Sequence, residues 1–180
     1  MVRGYKSFAS NGTNQAKQVM EAGKKYHCNG KIRYNKNGYH MANRFEDTIP
    51  FSDLVDSEGN SNDLHDVIIA EVVGSGDIDT VSDMYANYYG YYEMYACSDI
   101  EIIRFIPRDE LIKMGLELNN ERMERFVSYL KMTPEELKQF QGINVKVDAA
   151  IEYYHNDNKD IYNPENINKL YKKKYKRGNL

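Results

Sequence analysis

Two short stretches of this chain are almost continuously apolar. Val67–Val73 (VIIAEVV) and Ile100–Ile106 (IEIIRFI) are too short for a buried helix and rich in β-branched residues, which predicts two central strands with both faces covered. Arg3–Phe8 alternates instead, Tyr5 and Ser7 against Lys6 and Phe8, which predicts a half-buried strand. Asn11-Gly12 and Asn37-Gly38 are turn signals. Between them Gln15–Ala22 predicts a short helix stopped by Gly23, and Lys31–Tyr34 a further strand. Arg44–Leu54 is less regular, with Pro50 inside it. The polar Asp56–Asp66 reads as a mobile loop, and Gly74-Ser75-Gly76 as the end of the first apolar strand. Tyr85–Tyr95 reads as a helix or an irregular exposed segment broken at Gly90.

After Ile106 the period changes. Pro107 suits the first turn of a helix running to about Met114. Met123, Phe126, Val127 and Leu130 recur at i, i+3, i+4, i+7, one face of an amphipathic helix. Thr133-Pro134-Glu135-Glu136 has the form of a capping box, with Leu137 and Phe140 behind it. Val147–Tyr154 predicts another helix, and Asn163-Pro164 caps a last one carrying Ile167, Leu170 and Tyr171. The expected fold is therefore α+β: a small mixed or antiparallel sheet domain over about 1–114, then a helical region over 115–180.

Composition changes this picture only a little. The chain has 180 residues, 41% hydrophobic and 28% charged, with a net charge of -3, which argues against broad nucleic-acid binding. No stretch is long and apolar enough to span a membrane, and the N-terminus lacks an apolar signal core, so a cytoplasmic protein of a bacterial host cell is expected. The two cysteines, Cys28 and Cys97, are expected to be free thiols. Sixteen tyrosines and no tryptophan have two readings: base composition of the genome, or a surface using tyrosine as stiff contact area.

The order GYKSF, AGKKYHCNGKI, NGYHMAN, VIIAEVVGSGDI, CSDIEIIRFIPRDEL resembles an uncharacterised domain family common in phages and prophages, whose central signature is a Gly-aromatic-His turn. Gly38, Tyr39 and His40 match that turn, and the resemblance covers roughly residues 3–114. Many relatives carry Cys before the turn and just after the His, where this chain has Tyr34 and Ala42. A looser resemblance is to the ADP-ribosyltransferase fold, with Arg3-Gly4, Gly38-Tyr39 and Val67–Gly74 in the matching places. The Ser-Thr-Ser motif is missing, and Glu71 and Glu101 are the only strand glutamates to set against the catalytic one.

His40 is the candidate catalytic residue, as a general base or phosphate ligand, against a structural histidine bonded to a nearby carbonyl. His27, Cys28, His40 and Cys97 are the set that could hold zinc, which takes four N or S ligands. Neighbours such as His27 and Cys28 point to opposite faces of a strand, however, so no cofactor is the primary expectation. Arg33, Arg44 and Arg104 are candidate anion-binding groups or plain surface cations. Lys172, Lys173 and Lys174, interleaved with Tyr171 and Tyr175, could follow a phosphate backbone or form a solvated helix end. Asp77 and Asp79, beside Tyr85, Tyr88, Tyr89, Tyr91 and Tyr92, would make an acidic aromatic surface suited to a basic groove that normally holds nucleic acid.

The function these features imply is that of a phage or prophage accessory protein acting by binding. Its partner would be a host defence protein, and its mode an anti-CRISPR-type block of a nuclease channel. The alternative is an enzyme acting on RNA or a nucleotide through His40. The surroundings of His40 discriminate: an open pocket with convergent Arg and Glu for the enzyme, a packed ring for the binder.

Overall fold

The computed structural model describes residues 1–14, 16–34, 36–51, 66–81 and 94–155. Its strands are β1 (Val2–Ala9), β2 (Lys25–His27), β3 (Tyr39–Ala42), β4 (Val67–Val81) and β5 (Met94–Phe105). A 3-10 turn covers Glu46–Phe51, and among the described residues four helices follow β5: α1 (Arg108–Leu116), α2 (Asn120–Tyr129), α3 (Pro134–Lys138) and α4 (Val145–His155). The chain is α+β. The last expected helix, the 52–65 loop and the tyrosine-rich 82–93 lie outside the described residues.

Among the described residues all strand pairings are antiparallel. β5 pairs β3, β3 pairs β1, β1 pairs β4, and β4 returns to β5, which closes a four-stranded barrel with β2 attached to β5. The two apolar runs do lie side by side, Val72 across from Ile102 and Val73 from Glu101. Their period of two sends alternate residues to two cores. Ala70 and Val72 join Phe8, Met41, Tyr95, Cys97, Ile100 and Ile102 inside the barrel. Val67 and Ile69 face outward into a second cluster with Phe45, Ile49, Leu111, Phe126 and Phe140. The helices thus cover the outer face of β1 and β4.

The helix ends follow local chemistry. Asn119 caps α2 by accepting from Arg122 N, and Thr133 and Glu136 form the reciprocal capping box of α3. Arg108, at the start of α1, grips Glu136 with two hydrogen bonds of 2.7 and 2.9 Å, so the two helix starts are tied together. Gly115 lets α1 approach α2, because a Cβ there would lie 2.2 Å from the Phe126 ring.

Three local expectations fail. The expected Gln15–Ala22 helix does not form over its described residues 16–22: Asn14 Oδ1 accepts from Gln18 N at 2.9 Å and Thr13 bridges Val19, side-chain competition that favours a turn. Lys31–Tyr34 is no strand, since Arg33 and Asn37 bond each other's backbone at 3.1 and 3.0 Å and fold the segment back on itself. The strand preceding β3 is Lys25–His27. Finally, Gly74–Gly76 does not end β4. The strand runs on to Val81 across an irregularity between Ser75 and Ile78, where Gly76, at φ +74, supplies the positive dihedral of a bulge.

Ile69 is fully buried, whereas Val145 at the start of α4 is 83% exposed. Ile69→Asp is expected to abolish cooperative unfolding, because an unpaired charge in that core costs several kcal/mol. Val145→Asp should leave stability within about 0.5 kcal/mol. Urea titration followed by circular dichroism checks both; equal stabilities would overturn the two-core arrangement.

Candidate functional site

His40 sits in a row that crosses three strands. It pairs with Ala96 of β5, which pairs with Asp79 of β4. Tyr34, from the 31–37 turn, closes over this row. Its ring meets the His40 ring edge-on at 5.2 Å, its N–H donates to Asp79 Oδ2 at 2.9 Å, and its hydroxyl lies 3.1 Å from Met94 Sδ. Lys6 Nζ donates to the His40 carbonyl at 3.0 Å. Burial, helped by the Lys6 charge, pushes the imidazole down to about 4, so the ring is neutral near pH 7 and offers no cation to a phosphate. The surroundings of His40 are a packed aromatic contact.

The other zinc candidates do not converge on it. His27 Nδ1 lies 2.8 Å from Asp99 Oδ1, and its Nε2 lies 3.1 Å from Asn29 Oδ1. Ser98 Oγ donates to the other Asp99 oxygen at 2.6 Å. The bond to Asp99 raises the His27 pKa, and bonds from Ser98 and His27 lower that of Asp99. Cys28 Sγ faces Asn37 Oδ1 at 3.1 Å. Cys97 is fully buried, donates to the Tyr39 carbonyl at 3.3 Å, and has its thiol pushed up to about 11 by desolvation. Both cysteines are free, and among the described residues no group of three or more His, Cys, Asp or Glu could hold a metal ion. Sequence reasoning had not paired His27 with Asp99; the antiparallel register of β2 and β5 brings them face to face.

A cleft of about 410 Å³ opens elsewhere, on the outer face of the barrel, lined by Arg3, Gly4, Tyr5, Asn43, Glu71, Val72, Val73 and Ile103. Arg104 borders it. Its Nη2 lies 2.6 Å from both Glu71 and Glu110, and those carboxylates drive its pKa up. Of the candidate arginines, Arg104 is therefore a structural clamp. Arg44 lies close enough to the buried Asp47 to act on its charge, and Arg33 belongs to the turn that carries Tyr34.

A second charged cluster is internal. Glu46 and Asp47, 3% and 0% exposed, pair with Arg122 and Arg125 of α2, Asp47 at 2.9 Å. Among the described residues one oxygen of each carboxylate has no hydrogen-bond partner. Desolvation raises Asp47 to about 6 against the pull of Arg125.

Asp77 and Asp79 stand on the distal part of β4. From Ser75 to Val81 that strand has β5 on one side and, among the described residues, no strand on the other, since β1 stops pairing at Gly74. Asp77, Ile78 and Thr80 are exposed there. Tyr85, Tyr88, Tyr89, Tyr91 and Tyr92, and Lys172, Lys173 and Lys174, lie outside the described residues. Among those described, no helix is long and apolar enough to cross a membrane. No family model matches the chain, and neither a curated protein nor a solved structure matches it.

The depressed His40 makes a pH prediction. Its folded pKa, about 4, lies below the ordinary 6.5, so its contribution is present above pH 6.5 and is lost as pH falls through that window. His155 is lowered in the same sense by burial. Asp47 opposes them: its pKa is raised from 3.8 to about 6, so its share is present below 3.8 and lost as pH rises through 6. Replacing His40 by Gln removes the first contribution alone. The stability gap between wild type and His40→Gln should shift by up to about 3 kcal/mol in favour of the variant between neutral pH and the acid end of that window, read from urea midpoints. Parallel pH curves would mean that His40 is not held neutral by its packing.

Proposed function

We propose that the protein acts by binding, and that the distal end of the β4–β5 hairpin carries the recognition. One observation supports this most directly. β4 continues past the last residue paired with β1 and presents Asp77 and Ile78 exposed on an edge that no other described strand pairs, a few residues before a segment whose sequence is YANYYGYY. Carboxylates beside tyrosines suit a positively charged surface. The acids raise the association rate and exclude wrong partners, while the aromatic rings supply contact area.

The partner class that fits is a protein with a basic channel for nucleic acid. A host defence nuclease blocked in the anti-CRISPR manner is the reading that also agrees with the phage-family resemblance. His40 weighs against the enzymatic alternative, because a ring packed against Tyr34 with its pKa lowered by burial is a weak base and brings no positive charge to a phosphate.

The test uses purified CRISPR effector nucleases and follows target cleavage with and without the protein; binding is measured by calorimetry at low and high salt. For an effector that is inhibited, replacing Tyr88, Tyr89, Tyr91 and Tyr92 by Ser should weaken affinity by about a hundredfold or more, close to 2.7 kcal/mol. Asp77→Lys should lower the association rate chiefly at low salt. Deleting 172–180 should change affinity less than about tenfold. Loss of binding on the tail deletion alone, with direct binding of single-stranded nucleic acid, would replace this reading by a nucleic-acid-binding one.

A further inference from the structure

The cleft beside β1 holds two opposite charges that do not meet. Arg3 stands across from Val73 and Tyr5 across from Glu71, so Arg3 and Glu71 are diagonal neighbours on one face, about 7–8 Å apart at the backbone. An arginine side chain can span that gap, and such pairs commonly close. Here Glu71 is held instead by Arg104 at 2.6 Å, with Arg104 shared by Glu110 at the same distance. Among the described residues the Arg3 side chain makes no ion pair. The Asn43 side chain and the Tyr5 hydroxyl likewise make no hydrogen bond among them. Three polar groups with unspent capacity therefore line one cleft beside the Glu71 carboxylate, and its apolar wall is Val73 and Ile103.

The cleft is also set in place. Arg104 fixes the Glu71 carboxylate. The Tyr5 ring packs edge-on against Phe45 at 5.9 Å. Gly4 keeps β1 tight against β3, since a Cβ there would lie 2.3 Å from the Ala42 carbonyl oxygen. Burial and the Glu71 charge raise the Tyr5 pKa, so its hydroxyl stays a donor. The volume, about 410 Å³, is that of a small-molecule site. Arg3 and Arg104 balance Glu71 and Glu110, which favours a ligand that is itself neutral overall but carries both charges.

We propose that this cleft binds a small zwitterion, an α-amino acid being the simplest, with its carboxylate on Arg3 and its ammonium on Glu71. Two charge-assisted hydrogen bonds of about 2.8 Å each, added to the short span of an α-amino acid, bridge the diagonal that the two side chains leave open. Asn43 and the Tyr5 hydroxyl would complete the polar shell, and Ile103, 45% exposed, would cover an apolar side chain. This site is separate from the distal edge of β4 and stands or falls independently of it.

The experiment is a titration of the intact, isotope-labelled chain with each proteinogenic L-amino acid in turn, followed by NMR of the backbone amides. The amino acid that binds best is then compared with its N-acetyl derivative and its methyl ester. Nucleoside monophosphates form a separate arm. The expected result is saturable shifts at Arg3, Tyr5, Glu71, Val73 and Ile103. Affinity should fall by roughly tenfold or more when either charged end of the ligand is blocked, and likewise for Arg3→Met and Glu71→Gln. Arg3→Met keeps the stem at an exposed position, so it reads binding without threatening the fold. No shift with any amino acid, unchanged affinity for the blocked derivatives, or shifts with nucleoside monophosphates only would each overturn the proposal.

Discussion

Closing a ring with only four strands leaves very little room inside it, and most of this structure follows from that shortage. Where β1 crosses β3, and where β4 passes over the interior, there is no space even for a methyl group. A Cβ on Gly4 would lie 2.3 Å from the Ala42 oxygen; one on Gly74 would lie 2.8 Å from Met41 Sδ and 2.9 Å from Cys97 Sγ. Two glycines therefore set the barrel's bore. The interior is finished by residues that adapt to an irregular space, Met41 and Cys97 among them. A bore that narrow cannot also hold a ligand, so the chemistry of the barrel is displaced to its outside, where Arg3, Tyr5 and Glu71 stand.

The outer face is shared between helices and solvent along the length of β4. Near its start Val67 and Ile69 are sealed by the helices; Glu71 and Val73 emerge at the cleft; Asp77 and Thr80 are open. What aligns the helical layer with this gradient includes the pairing of Glu46 and Asp47 with Arg122 and Arg125. Burying two adjacent carboxylates is costly, and each keeps an unsatisfied oxygen, so their value is not chiefly in net stability. They fix α2 against the 3-10 turn, which places Phe126 against Phe45 at 5.6 Å and, through Phe45, steadies Tyr5 at the cleft.

The parts of this arrangement that a reader of the sequence could recover are those written in contiguous residues. The apolar runs around Ile69 and Ile102 announced two adjacent strands. The spacing Met123–Phe126–Val127 announced α2, and Thr133-Pro134-Glu135-Glu136 announced the cap of α3. What stayed hidden depends on register between distant segments. Lys25–His27 is three residues of ordinary polarity and becomes a strand only because β5 offers an edge. Gly74-Ser75-Gly76 looks like a terminator, but Gly76 serves a bulge inside a strand. Tyr5, Glu71 and Arg104 belong to three different strands, so no local motif could group them. His40 was singled out because it follows a recognisable turn, and that turn instead places the ring under Tyr34, where burial removes its charge.

The same bulge governs what the far end of β4 can do. Among the described residues no strand pairs this edge, and an unpaired edge ordinarily invites another strand. Here Gly76 turns the backbone, and the edge carries Asp77, whose N–H is already spent on Ser98 Oγ at 3.0 Å. Asp79 is likewise committed to Tyr34 N. Charge and a bulge both oppose continuation of the ladder. Under the proposed binding role, a partner meeting this edge would engage side chains rather than add a strand, and its selectivity would rest on charge complementary to Asp77. A protein surface shaped for a nucleic-acid backbone offers that charge, since it is lined with cations.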